Sequence, residues 1–491
     1  MLILCADFSG VDAILVEVES SIDRKSVLRG IDIVGMGDTA VKESEKRVKS
    51  ALKSNGFDFM KGRITVNLSP ADVKKSGSHY DLPIALSILS ATGDLKDKKI
   101  FVMGELSLDG RVRGVRGVLP ALMELRNSKF EGIVIIPSEN EKEASVVGLS
   151  DVFSVENLRE AVELINDLRF FKSLEKIDIA VFNDFDVDMS DVKGQELAKR
   201  AIEIAAAGGH NILMIGPPGS GKTMLARRIP TILPQMNLDE ILETSKVYSI
   251  AGFPGLVLKR PFRSPHHTAS VASIVGGGVN ARPGEISLAH NGILFMDELT
   301  EFRRDVLEAL REPLEEGKIT VARARSVAVY PARFMFIGAM NPCSCVEIDD
   351  DGECICSEIE RVRYTKKISG PILDRIDIHI RVKRINFSEY RRKSPSESSE
   401  LIRNRVIAAR SVQKKRGILN SNIPHRDIGS FVKIDSESEK LLEKFADRMK
   451  ISGRGIDKIL KVARTIADLD NSDRVIKKHI LESIQYRVVS F

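Results

Sequence analysis

Residues 216–223 read GPPGSGKT, three closely spaced glycines ahead of a lysine and a hydroxyl. A nucleoside triphosphate packs several negative charges into a small volume, and backbone N–H groups at a helix N-terminus meet them compactly. Gly216, Pro217, Pro218, Gly219, Ser220 and Gly221 would wrap the phosphates, Lys222 would reach the β and γ groups, and the Thr223 hydroxyl would face Mg²⁺. A second run, ILFMDE at 293–298, delivers two carboxylates behind four apolar residues, as a buried parallel strand does at its C-terminal end. Asp297 is expected to hold Mg²⁺, and Glu298 to orient and deprotonate an attacking water. A third run, FMFIGA at 334–339, leads to Asn341, a polar group placed to touch the γ-phosphate or the water. Adjacent carboxylates usually belong to solvated surface, and an Asn before Pro342 is often a turn residue. The apolar run ahead of each favours the chemical reading.

These groups need strands and helices to hold them. An amphipathic helix over Glu196–Ala207 leads into the apolar run Asn211–Ile215, which ends in the glycine-rich turn: helix, strand, loop, helix is the context a phosphate loop requires. The first 165 or so residues alternate β-like runs, RITVNL at 63–68 and GIVII at 132–136, with a helical Leu82–Leu89, and predict a compact α+β domain. A charged stretch containing NDFDVDMSD reads as a linker. Beyond Ile380 the pattern turns helical. Ile456, Ile459, Leu460, Ala463, Ile466 and Ala467 share one helix face. The expected layout is an N-terminal domain at 1–168, a linker at 169–190, a nucleotide-binding core at 191–390 and a helical domain at 391–491.

A chain of 491 residues exceeds a single hydrophobic core, and 43% hydrophobic with 29% charged residues describes a globular protein rather than a disordered one. No stretch approaches a membrane span, and the MLILC start lacks the features of a secretory signal, so a cytoplasmic, membrane-free location is expected. Residues 395–491 hold 20 Lys and Arg against 13 Asp and Glu, within a net charge of +5. Such an excess suits nucleic acid, and solvated helix faces carry similar ones.

The segments DVKGQ (191–195), GPPGSGKT, RPFRSPHHTAS (260–270), GGGVNARPGEISLAHNGILFMDEL (276–299), NPCSC (341–345), SGPILDRIDIHI (369–380) and KVARTIADL (461–469) together resemble the YifB/ComM family of magnesium-chelatase-like AAA+ ATPases. The resemblance covers nearly the whole chain. It implies ATP and Mg²⁺ as cofactors, a P-loop core with a C-terminal helical lid, and a homo-hexameric ring. By the same resemblance Asp191–Gln195 would lie by the adenine, Asn341 would be sensor 1, Arg375 the arginine finger acting on a neighbouring subunit, and Arg454 the sensor 2 arginine. The alternative for Arg375 is a salt bridge to Asp374 or Asp377.

Between the nucleotide strands, Arg260, Arg263, His266 and His267 lie in one insertion, and ITVARARSVAVY reads as a hairpin with Arg323 and Arg325 near its turn. In related rings such projections face the pore, which makes Arg263, Arg323 and Arg325 candidate DNA contacts; ordinary solvated loops are the alternative. Without partner ligands the His pair reads as hydrogen-bonding. Cys343, Cys345, Cys354 and Cys356 fall within 14 residues and supply four thiolates, a set for structural zinc; metal-free thiols and redox pairing remain the alternatives. The N-terminal domain is similar to the Lon protease domain (S5 domain 2-like) across MGELSLDGRV (103–112) and IPSENEKEA (136–144). At the expected serine the chain reads Ser78-His79-Tyr80-Asp81, and at the expected lysine Val118-Leu119-Pro120, so a non-catalytic domain is expected. The family is associated with branch migration during recombination in natural transformation. The expectation is therefore an ATP-dependent, helicase-like hexamer acting on single-stranded or branched DNA, with recombination proteins as partners. The competing reading is a chelatase-type ATPase that remodels a protein partner.

Overall fold

The computed structural model describes every residue except 27–28, 58–61, 74, 178–184, 254, 279–281, 324–325, 344–355, 386–395, 450 and 488–491. The fold is mixed α/β with a helical C-terminal region. The chain forms two compact units: residues 1–180 with 238–258 and 320–330, and residues 181–237 with 259–319 and 331–491.

The first unit is built on a seven-stranded mixed sheet in the order Gly30–Val34, Arg63–Ser69, Asp12–Asp23, Leu2–Ser9, Lys99–Val102, Ile133–Pro137, Val152–Val155. Its central helix, Asp81–Thr92, is apolar along almost its whole length (DLPIALSILSAT) and buries Leu82 through Leu89, as a helix enclosed on all sides must. It stops at Gly93, in the left-handed conformation that glycine adopts without a Cβ penalty. Helix Leu238–Ala251 belongs to this unit: Leu242 joins its core, and the Gly117 N–H donates to Ser249 Oγ at 3.0 Å. The hairpin expected from ITVARARSVAVY forms, Lys318–Arg323 against Ser326–Pro331, and residues 320–330 of it also pack in this unit.

The second unit carries a five-stranded sheet in the order Phe262–Arg263, Ile293–Met296, Met335–Met340, Ile212–Ile215, Ile378–Arg381, with every neighbouring pair parallel. The strands Ile293–Met296, Met335–Met340 and Ile212–Ile215 are buried throughout, which is why they read as unbroken apolar runs rather than alternating ones. Helices Glu196–Gly208, Ser399–Lys415 and Gly453–Leu469 pack around this sheet, and Ile402, Val406, Val462 and Ile466 reach the same core. The last of these helices buries Ile459, Ala463, Ile466 and Ala467, the face its periodicity predicts. Among the described residues no helix is long and apolar enough to cross a membrane.

Candidate nucleotide site and its distant arginines

The phosphate loop leaves the C-terminal end of strand Ile212–Ile215 and enters helix Lys222–Ile232. A Cβ at Gly216 would stand 2.2 Å from the Val382 carbonyl oxygen, so only glycine lets the loop pass the neighbouring strand. Gly221 caps the helix with φ +91°, again outside the range of ordinary side chains. The Lys222 ammonium is buried and donates to the carbonyl oxygens of Gly216 (2.6 Å) and Pro217 (3.0 Å) and to Asn341 Oδ1 (3.2 Å). Burial pushes it below its ordinary value, while Asp297 and Glu298 pull the other way. The cation thus folds onto its own loop, within the field of Asp297 and Glu298.

Thr223 donates from Oγ1 to Asp297 Oδ2 at 2.6 Å, which joins the helix start to the end of strand Ile293–Met296. A hydroxyl and a carboxylate in contact beside a buried lysine form a hard oxygen donor set that fits Mg²⁺. Glu298 follows with φ +51°, a left-handed conformation uncommon for a residue with a side chain and found at functional sites. Its Oε2 lies 3.2 Å from His267 Nδ1, and His267 stacks on His266 with ring centroids 4.1 Å apart. His266 itself pairs with Thr268 Oγ1 at 2.8 Å. His266 is hydrogen-bonded, and His267 lies at ion-pair distance from a carboxylate. Gln195 donates from Nε2 to the Lys383 carbonyl oxygen at 2.5 Å, and Asp191 pairs with Arg228 at 2.9 Å. The DVKGQ segment thereby ties the loop's flank to the last strand.

Arg375 lies elsewhere. Its carbonyl oxygen accepts from Asn211 Nδ2 at 3.4 Å, and Asn211 immediately precedes the strand whose far end bears the phosphate loop. A four-residue strand spans roughly 13 Å, so Arg375 sits at the opposite edge of the sheet from its own chain's loop. Its guanidinium pairs with Glu315 at 2.5 Å and donates to the Pro371 carbonyl oxygen at 2.6 Å. The bridges to Asp374 or Asp377 weighed from sequence do not form: Asp377 is taken by Lys458 at 2.5 Å and by the Asn211 N–H at 2.8 Å, and Asp374 lies beside Arg487 at 3.7 Å. Burial alone would raise the Asp377 carboxyl, but Lys458 and His210 outweigh it and hold it below the usual carboxylate range. Arg454, at the start of helix Gly453–Leu469, is 3.7 Å from the same Glu315 oxygen that Arg375 uses. Glu315, Lys458 and Asn211 carry no motif of their own. Only their partners reveal them.

Of the candidate DNA contacts, Arg263 makes a two-pronged pair with Glu285 at 2.6 and 2.7 Å, and Arg260 in the same insertion holds the carbonyl oxygens of Pro234 and Asn291, each at 2.7 Å. Arg323 ends the first hairpin strand, whereas its side chain and Arg325 lie outside the described residues. Cys343 is buried and Cys356 half-buried; Cys345 and Cys354 lie outside the described residues, and among those described no cluster of three or more metal-ligating side chains occurs. Ser78 donates to Glu105 rather than to a lysine, and the buried Lys75 donates to the Pro70 carbonyl oxygen.

A five-stranded parallel sheet with a phosphate loop on its central region, paired carboxylates on the next strand but one, an asparagine between them and a helical C-terminal region define the nucleotide-binding core of an AAA+ ATPase. Models for magnesium chelatase subunit ChlI match residues 188–390, for the same subunit residues 18–140, and for its C-terminal part residues 396–487. The chain is 40% identical to the Escherichia coli uncharacterized protein YifB, covering 98% of this chain and 95% of that one. It is 39% identical to competence protein ComM of Haemophilus influenzae, covering 98% and 96%. Magnesium-chelatase subunit ChlI of Mesostigma viride is 22% identical over 56% of this chain and 78% of its own. The chain belongs to the YifB/ComM family of magnesium-chelatase-like AAA+ proteins.

Proposed function

We propose that the chain is an ATP-hydrolysing subunit of a homo-hexameric DNA motor that drives branch migration of recombining strands. The observation that carries the ATPase part is the convergence of Lys222, Thr223, Asp297 and Asn341 within hydrogen-bond distance at one end of the parallel sheet. In this reading Lys222 leaves its loop carbonyls for the β and γ phosphates, and Asn341, its present partner, holds the same side of the γ group. Thr223 and Asp297 would hold Mg²⁺, which supplies charge neutralisation of the triphosphate. Glu298 takes the proton of the water that attacks the γ-phosphorus, and His267 is the group that now occupies that carboxylate.

Arg375 and Arg454 stand beside one carboxylate at the sheet edge away from their own phosphate loop, which favours a ring in which both serve the neighbouring subunit's phosphates. This is the arrangement an arginine finger requires. A lid arginine that shares the finger's edge acts with it.

The DNA part rests on the family. A relative matched along the full length is named for competence, which agrees with the family's association with recombination in natural transformation. The basic 395–491 region supplies sequence-independent phosphate contacts. The chelatase name of the matched models favours the second reading, ATP-driven remodelling of a protein partner. Forked and four-way DNA supplied to the purified protein with ATP tests the choice, with Lys222→Ala as control. Strand displacement that needs ATP and Lys222 supports the motor; no binding and no displacement at low salt supports the remodeller.

A further inference from the structure

Glu315 has no place in the nucleotide chemistry, yet it touches both arginines expected to act on a neighbour. Arg375 donates to it from a side chain only 13% exposed, with its other terminal nitrogen on the Pro371 carbonyl. A finger must leave its subunit's surface to meet a phosphate, and this one is folded back. Arg454 is 68% exposed and reaches the same oxygen at 3.7 Å. The Glu315 side chain is itself 46% exposed, so the bond is open to competition from outside. One carboxylate therefore partly neutralises two guanidinium groups. A triphosphate on the adjoining subunit, with several charges and many acceptor oxygens, can displace it.

We infer that Glu315 is a latch: it withdraws Arg375 inside the lone subunit, draws the exposed Arg454 towards the same oxygen, and gives both up when a neighbour's nucleotide arrives, so that productive turnover waits for correct assembly. Glu315 is a positioning residue that acts through Arg375, and the inference rests on Arg375 being a trans-acting finger. Helix Arg311–Glu316, which carries Glu315, ends at Gly317 and runs directly into the hairpin beginning at Lys318, so a load on that hairpin bears on the latch.

The test is ATP turnover of the full-length protein as a function of protein concentration. An ion pair open to solvent on one side is modest, so Glu315→Gln should lower the concentration for half-maximal turnover by about fivefold. Its melting temperature and the nucleotide affinity of the dilute subunit should match wild type. Glu315→Asp, which keeps the charge on a shorter stem, should fall between the two, and it is read in the same way if Glu315→Gln fails to fold. Glu316→Gln removes the same charge from the same helix, where the carboxylate pairs with Lys318 at 3.2 Å, and should leave the curve in place. The double variant Glu315→Gln with Arg375→Ala should be as inactive as Arg375→Ala alone. If Arg375→Ala turns ATP over normally, the finger reading falls and takes the latch with it. If Arg375→Ala is inactive while Glu315→Gln keeps the wild-type curve or loses turnover, the latch alone is wrong.

Discussion

Lys222 presents its ammonium to two loop carbonyls and to Asn341, a pose in which it has given up water and gained only neutral acceptors plus two nearby carboxylates. Replacing it removes the cation that the phosphate loop itself supplies. Lys222→Ala should lose ATP binding itself, read with a fluorescent nucleotide. Glu298→Gln keeps the loop intact and removes only the proposed proton acceptor. It should bind ATP as wild type does and turn it over about 100-fold more slowly; normal turnover would show that another group takes the proton. A different carboxyl reports on stability. Glu143 is 2% exposed, with Oε1 bonded to Asn140 at 2.5 Å and Oε2 buried without a partner. Burial pushes its pKa up to about 7, against the pull of Asn140. A folded-state value above the unfolded one means that the contribution to stability is complete below the ordinary carboxyl range and is lost as pH rises through 7. Glu143→Gln should therefore melt several degrees above wild type at pH 8, an advantage of up to roughly 3 kcal/mol that shrinks towards pH 5. Equal melting curves at both values would place a proton or a water where none is inferred.

Elements carry the communication between sites. The loop bearing Arg375 is pinned by Asn211 at the start of strand Ile212–Ile215 and by Lys458 from helix Gly453–Leu469, so the helical region and the sheet hold the same short segment. If Arg375 is the proposed finger, this mounting ties it to that helix. Arg375→Ala should assemble but fail to hydrolyse, and mixing it with Lys222→Ala subunits should restore turnover at interfaces where an intact finger meets an intact loop. Mixtures as inactive as either parent would rule out action on the neighbour. The cysteine segment sits between strand Met335–Met340 and helix Glu358–Thr365, and four thiolates there are proposed to close a structural zinc site. Protein purified without chelators should carry about one zinc per chain, lost in the double variant Cys343→Ser, Cys345→Ser. Elemental analysis without zinc would end that reading.

For the molecule as a whole, a net charge of +5 is too small to gather DNA by itself, so in the proposed DNA-motor function the local excess over residues 395–491 would have to do so. Contacts of that kind release counterions from the strand. ATP turnover stimulated by single-stranded or forked DNA should fall by about tenfold or more between roughly 50 and 200 mM salt, with basal turnover changing little. Arg323→Ala with Arg325→Ala should reduce the stimulated component alone. If DNA at low salt leaves turnover at its basal level, the protein-remodelling function is favoured. Residues 320–330 of the hairpin that bears these arginines pack in the N-terminal unit, together with helix Leu238–Ala251, so two segments from within the nucleotide-binding core sequence belong by packing to the other unit.

The local part of this protein was written in contiguous residues. ILMI ahead of GPPGSGKT, ILFMDE, and FMFIGA ahead of Asn341 each combine a buried parallel strand with the polar groups that follow it, and a strand buried on both faces must read as an apolar run, so position and chemistry appear in one stretch. The helix Asp81–Thr92 and the face of Gly453–Leu469 were legible for the same reason: burial imposes its period on the residues that are buried. Pairings between distant residues left no such trace. Sequence offered Asp374 and Asp377 as partners for Arg375 because they are adjacent, yet the folded chain assigns Asp377 to Lys458 and Arg375 to Glu315, sixty residues upstream. The hold of His267 on Glu298 and the passage of helix Leu238–Ala251 into the first unit are of the same kind. A charged side chain on a surface of many opposite charges takes the partner that packing brings within reach, and only the tertiary structure decides which one that is.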